Sequence, residues 1–109
     1  MGKENNIILQ SIKTILRQVL PQNGKAILFG SQARGEARED SDWDILILLD
    51  KQNLEAADYD EISYPLRELG WKMKTCINPV MYTLKDWMKY SFSPFYHNVV
   101  KEGVELVCA

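Results

Sequence analysis

The stretch Leu28-Phe29-Gly30-Ser31-Gln32-Ala33-Arg34-Gly35-Glu36-Ala37-Arg38-Glu39-Asp40-Ser41-Asp42-Trp43-Asp44-Ile45-Leu46-Ile47-Leu48-Leu49 decides the fold. An apolar run ends in Gly-Ser, a charged loop follows, and two aspartates one residue apart open a second apolar run. Glycine lets a backbone approach a ligand that a side chain would hold away. A Gly-Ser between a strand end and a helical turn also offers N–H groups and a hydroxyl to phosphate oxygens. Aspartates at i and i+2 of a strand point to one face, where their carboxylates can share a hard cation; without a cation the pairing is costly.

Upstream of this stretch, Ile8, Ile12, Ile15, Leu16 and Val19 have the spacing of a helix with one buried face, over about Glu4 to Leu20. Pro21-Gln22-Asn23-Gly24 breaks it and turns the chain into a short strand, Lys25 to Phe29. Gln32 to Glu36 suit a helical turn, Arg38 to Ser41 a solvated loop, and Trp43 to Leu49 a central strand covered on both faces.

Downstream, Leu54, Ala57, Ile62, Leu66 and Leu69 predict a helix from Leu54 to Gly70, with Tyr64-Pro65 as a kink or break. Lys72 to Thr83 contain a third strand, and Pro79 assigns it to an edge or a bulge. Leu84 to Tyr90 read as helical. Ser93 and Pro94 suit the N-cap and first position of a last helix, which Gly103 ends, leaving Val104 to Val107 as a tail or strand. The order α-β-α-β-α-β-α-α predicts a small α/β fold, a mixed sheet packed with helices.

The 109 residues fit one domain spanning 1–109, with an ordinary apolar and charged content that argues against disorder. No apolar run approaches the roughly 20 residues of a membrane span, and the N-terminus lacks the plan of a signal peptide, so a cytoplasmic protein is expected. The formal charge of −2 argues against broad binding to nucleic acid. Cys76 and Cys108 stand far apart and form no redox or zinc pair, so buried or incidental thiols are expected.

Gly30-Ser31, about ten intervening positions, and then Asp42-x-Asp44 opening an apolar strand resemble the nucleotidyltransferase superfamily that includes DNA polymerase beta. The fuller pattern, Gly30-Ser31-Gln32-Ala33-Arg34-Gly35 with Ser41-Asp42-Trp43-Asp44, is similar to the minimal nucleotidyltransferases of prokaryotes. Those resemble the antitoxin-like half of a toxin–antitoxin gene pair whose other half is a helical HEPN protein.

The resemblance implies a polymerase beta-like fold and transfer of a nucleoside monophosphate from a nucleoside triphosphate, ATP in the first instance, to an acceptor hydroxyl. A tyrosine of a HEPN partner would be one such acceptor. Asp42 and Asp44 would hold Mg²⁺ as catalytic ligands; Gly30 and Ser31 would bind the nucleotide, and Arg34, a planar donor fork one turn beyond, would reach its phosphates. Active members bring a third carboxylate from the next strand, and here that position is Asn78, with no Asp or Glu between Trp71 and Lys85. An amide carries no charge and is no base. The alternative is therefore a catalytically weak or inactive nucleotide-binding module that acts by binding a HEPN partner; self-association stays open.

Simpler readings stand beside these. Ser31 also suits a helix cap, Asp42 a strand-opening turn, and Arg34 a solvated position. Asp86 is the nearest later acid, but on a helix. Trp43 points away from the aspartates and reads as core, while the lone His97 reads as structural or exposed rather than as a general base. Trp87, Tyr90, Phe92, Phe95 and Tyr96 read first as core, with a partner surface as the alternative.

Overall fold

The computed structural model describes residues 2–35 and 41–109. Of the solvated loop expected over Arg38 to Ser41, residues 38–40 lie outside them, as does Glu36 at the expected end of the helical turn. Strands β1 (Lys25–Phe29), β2 (Trp43–Leu49), β3 (Ile77–Thr83) and β4 (Val104–Cys108) form one sheet in the order β3-β2-β1-β4. β1 runs antiparallel to both β2 and β4, and β2 runs parallel to β3. The sheet is thus mixed, as expected, and the C-terminal segment resolves into a strand: β4 closes the far edge. Ala109 exchanges backbone hydrogen bonds with the turn before β1, donating to Gly24 and accepting from Asn23, both at 2.9 Å.

Helix α1 (Gly2–Val19) covers one face of the sheet with Ile12 and Leu16, both fully buried. The residues of β2 divide between two cores as a period of two requires. Trp43, Ile45, Ile47 and Leu49 pack with α1 and with Ile62 and Leu66. Leu46 and Leu48 pack on the other face with Trp87 and Val99. Both cores lean on β2, which is buried because it lies inside the sheet. β3 is the other edge, where Pro79 can lack an N–H without breaking a ladder.

The helix expected over Leu54 to Gly70 runs from Ala56 to Lys72 in three pieces: α3 (Ala56–Asp58), a π-helical turn (Tyr59–Ser63) and α4 (Tyr64–Lys72). The irregularity falls just before Pro65, whose missing N–H and ring clash with Glu61 O cannot be met in a regular α-helix; a wider turn relieves both. Gly70 does not stop the helix. It sits within α4 because a Cβ there would lie 2.9 Å from Thr75 O. Instead α4 ends in a Schellman motif, with Lys74 N–H to Trp71 O at 3.4 Å and Thr75 N–H to Gly70 O at 2.9 Å. Lys74 takes the left-handed position of that motif (φ 57°), which costs a residue other than glycine about 1 kcal/mol.

Helices α5 (Leu84–Lys89) and α6 (Pro94–Glu102) cover the second face. Thr83 Oγ1 accepts from Asp86 N–H and Ser93 Oγ from Tyr96 N–H, each at 3.1 Å, so both helices carry a side-chain N-cap. The aromatic group divides. Trp87 is buried and meets Phe95 and Tyr96 at centroid distances of 5.5 and 4.9 Å, whereas Tyr90 is half exposed and Phe92 is 82% exposed.

Candidate functional site

β1 delivers Gly30 beside the start of β2, since Phe29 pairs with Asp44 in the antiparallel register. Gly30 has φ 78° and ψ −160°, a region open to glycine and strained for other residues. A Cβ built there would lie 2.5 Å from Asp44 Oδ2, so the loop backbone passes directly over the carboxylate. Any side chain at position 30 would have to displace that group.

Gly30 is also the N-cap of the short helix α2 (Ser31–Arg34), its carbonyl accepting from Ala33 N–H at 3.1 Å and Arg34 N–H at 3.2 Å. Ser31 is therefore the first helical residue and not the cap. Gly35, left-handed at φ 73°, closes α2 after a single turn. Arg34 lies at the end of that turn, with Nη1 3.3 Å from Glu102 Oε2 of α6.

Parallel pairing of β2 with β3 aligns Asp44 with Asn78, and Asn78 Nδ2 donates to Asp44 Oδ1 at 3.3 Å. Asn78 thus occupies the place from which the resemblance expects a third carboxylate. Asp86 does not replace it. It belongs to α5, beyond the far end of β3, where it pairs with Lys89 at 3.4 Å. His97 is exposed on α6 beside Tyr96, and Trp43 is buried on the opposite face.

Sequence reasoning gave Cys76 no place near this site. Trp43 N–H donates to Cys76 O at 2.8 Å, which puts the residue before β3 alongside the start of β2. The exposed Cys76 thiol is pushed up by the partial burial of its sulfur and then by Asp42, as charge and as hydrogen-bond partner; Arg67 acts in the opposite sense. The signal was available in the register, since pairing Asp44 with Asn78 brings position 76 toward position 42. Cys108 is exposed as well, so both thiols are incidental to the core.

Among the described residues, no group of three His, Cys, Asp or Glu side chains is assembled to hold a metal by itself. The donor set is nevertheless suited to a hard cation: two carboxylates two residues apart, Asp42 just before β2 and Asp44 within it, with an amide carbonyl able to serve as a neutral oxygen ligand. Mg²⁺ commonly takes one or two carboxylates and completes its shell with water and phosphate oxygens. Asp42, Asp44 and Asn78 fit that pattern.

Residues 9–100 match the family model described as the nucleotidyltransferase domain. Protein adenylyltransferase MJ0604 of Methanocaldococcus jannaschii is 37% identical over 79 residues, covering 72% of this chain and 73% of the relative. A toxin–antitoxin crystal structure with AMP-PNP superposes with a TM-score of 0.59 at 24% identity, covering 98% of this chain and 74% of that one. A minimal nucleotidyltransferase structure gives a TM-score of 0.56 at 22% identity, over 91% of this chain and 89% of its own. The two structures share this chain's fold.

Proposed function

Because this chain belongs to the nucleotidyltransferase domain family, we propose that it binds a nucleoside triphosphate with Mg²⁺ and transfers the nucleoside monophosphate to a protein hydroxyl. The observation that carries this reading is the abutment of Gly30 on Asp44, which sets a bare loop backbone directly against a carboxylate of the Asp-x-Asp pair. ATP is the favoured substrate, in keeping with the adenylyltransferase name of the relative and with the AMP-PNP in the structural neighbour. A tyrosine of a HEPN protein is the favoured acceptor, and the neighbour's being a toxin–antitoxin structure supports a protein partner. The whole of 1–109 acts as one domain, in the cytoplasm; no helix among the described residues is long and apolar enough to cross a membrane.

In this reading Asp42 and Asp44 hold the metal, which neutralises triphosphate charge when bound. Gly30 admits the phosphates to the carboxylates and Ser31 hydrogen-bonds them. Arg34 exchanges Glu102 for a phosphate oxygen, a charge-assisted contact of matching geometry. The acceptor oxygen bonds to the α-phosphorus as the bond to pyrophosphate breaks, and the hydroxyl proton leaves to solvent water. Asn78 orients Asp44 but cannot take the acceptor's proton.

That last point favours a second reading on a specific observation. With a neutral amide in place of a third carboxylate, the domain is a catalytically weak or inactive nucleotide-binding module that restrains a HEPN partner by contact. Co-expression with such a partner and α-labelled ATP separates the two. Transfer predicts label on the partner, lost in Asp42→Ala and in Asp44→Ala. Contact predicts no label, and a complex that survives both replacements.

A further inference from the structure

A trough follows the seam between α1 and α4, on the face of the sheet opposite to Asp44. Two adjoining depressions of about 500 and 700 Å³ share Ile7, Ser11 and Leu69. Ile7, Ser11 and Ile15 are spaced i, i+4 and i+8 and form one wall; Leu69 and Met73, four apart, line the other. Ser11, small and midway along its wall, deepens the trough. Ile7 is 58% exposed although it belongs to the apolar wall.

Among the described residues, the charged groups lining the two depressions are Lys72 and Lys74, both at one end. Lys74 holds the left-handed position that closes α4, where glycine would be free of strain. A cation is thus kept at the trough's end against a backbone preference, in a chain whose formal charge is negative.

We propose that this trough seats an amphipathic helix of a partner protein, with apolar residues at i, i+4 and i+7 along the trough and acidic residues over Lys72 and Lys74. From Ile7 to Ile15 the wall spans about 12 Å, two turns of helix, which suits three such anchors. Walls made of helices have no free backbone groups to pair with an extended peptide, whereas a helix satisfies its own. Charge complementarity selects acidic over basic occupants. The inference does not depend on the chemistry of the aspartate site, since the trough lies across the sheet from it.

The test uses the full chain and two synthetic, covalently stapled helical peptides with leucines at that spacing, one ending in glutamates and one in lysines. In amide chemical-shift titrations the glutamate peptide moves the resonances of Ile7, Ser11, Ile15, Leu69 and Met73. The double charge reversal K72E/K74E weakens it by about tenfold or more and makes the lysine peptide the better ligand. Ser11→Arg, which fills the trough, abolishes binding without lowering the melting temperature. Ile7→Glu, at an exposed position, repeats that result if Ser11→Arg unfolds. Shifts mapping elsewhere, equal affinity for both peptides, or indifference to both fillers overturn the proposal. So does concentration-dependent self-association in sedimentation that either filler abolishes, which would assign the trough to a second copy.

Discussion

The two faces of the sheet are built differently. One carries α1 and α4 over a continuous apolar layer in which Ile12, Leu16, Ile45, Ile47, Leu49 and Leu66 are fully buried. The other carries two short capped helices over Leu46, Leu48, Trp87 and Val99, finished by half-buried rings. The carboxylate of Asp44 belongs to this thinner face. The proposed site would need room for water and phosphates, and it lies where the core is least continuous. The thick face supplies the stability that such a site withholds.

Deleting side chains from each face is the strongest way to test that division. Leu16→Ala, in the thick face, is expected to cost about 3 kcal/mol in urea unfolding, from lost burial and a residual cavity. Val99→Ala, in the thin face, removes fewer atoms beside partly exposed rings and should cost about half as much, roughly 1.5 kcal/mol. Equal losses would mean that the faces contribute alike.

Gly30→Ala probes the boundary between the faces and the site. It is expected to destabilise the fold by about 2 kcal/mol, through left-handed strain and collision with Asp44, and to remove Mg²⁺-dependent binding of ATP in calorimetry. A variant that binds ATP normally would show that the close approach is dispensable.

Asn78→Asp sets a new charge where an amide now donates to Asp44 at 3.3 Å. Repulsion between like carboxylates should lower stability by about 1 kcal/mol in metal-free buffer, and Mg²⁺ should restore it, so that the melting temperature responds to Mg²⁺ more steeply than in the parent chain. Identical Mg²⁺ responses would separate Asn78 from the metal site.

The smallest effect lies far from both. Lys51 Nζ contacts Asp58 at 2.9 and 3.1 Å. Partial burial pushes the Asp58 carboxyl up, but the Lys51 hydrogen bond and the Glu55 N–H outweigh it and hold the group below its ordinary value. A depressed carboxylate contributes stability above its unfolded pKa, near 3.8, and loses it as pH falls through the folded value. The hydrogen bond to Asp58 likewise raises Lys51, whose share is whole below its ordinary value of 10.5 and is lost as pH rises from there through the higher folded value. Thermal melts should therefore be flat near neutrality, and Lys51→Met should soften both the acid limb and the alkaline limb.

Much of this architecture was legible because neighbours in sequence carry it. The heptad-like spacing of Ile8, Ile12 and Val19 marked α1, and Ser93-Pro94 marked the start of α6. Pro79 told of an edge strand through its missing donor. Gly30-Ser31 and Asp42-x-Asp44 were readable as a pair, and Asn78 as their counterpart, because the motif fixes a strand register. Less legible was whatever depends on distant packing. The place of Gly70 inside α4 is set by Thr75, the pairing of Arg34 with Glu102 joins residues 68 apart, and the approach of Cys76 to Asp42 follows from the parallel pairing. Phe92 and Trp87 look alike in sequence, and only the fold of α5 and α6 exposes one and buries the other.

The parallel pairing of β2 with β3 also has a kinetic meaning. Asp44 and Asn78 meet across 34 residues, whereas β1 and β2 can pair as soon as the loop between them closes. Such a distant pairing forms slowly relative to local contacts. In a refolding experiment β1 and β2 should pair before β2 and β3 do, and under the proposed function affinity for nucleotide should arrive with the later of these two steps, making the ligand a clock for the meeting of Asp44 with Asn78.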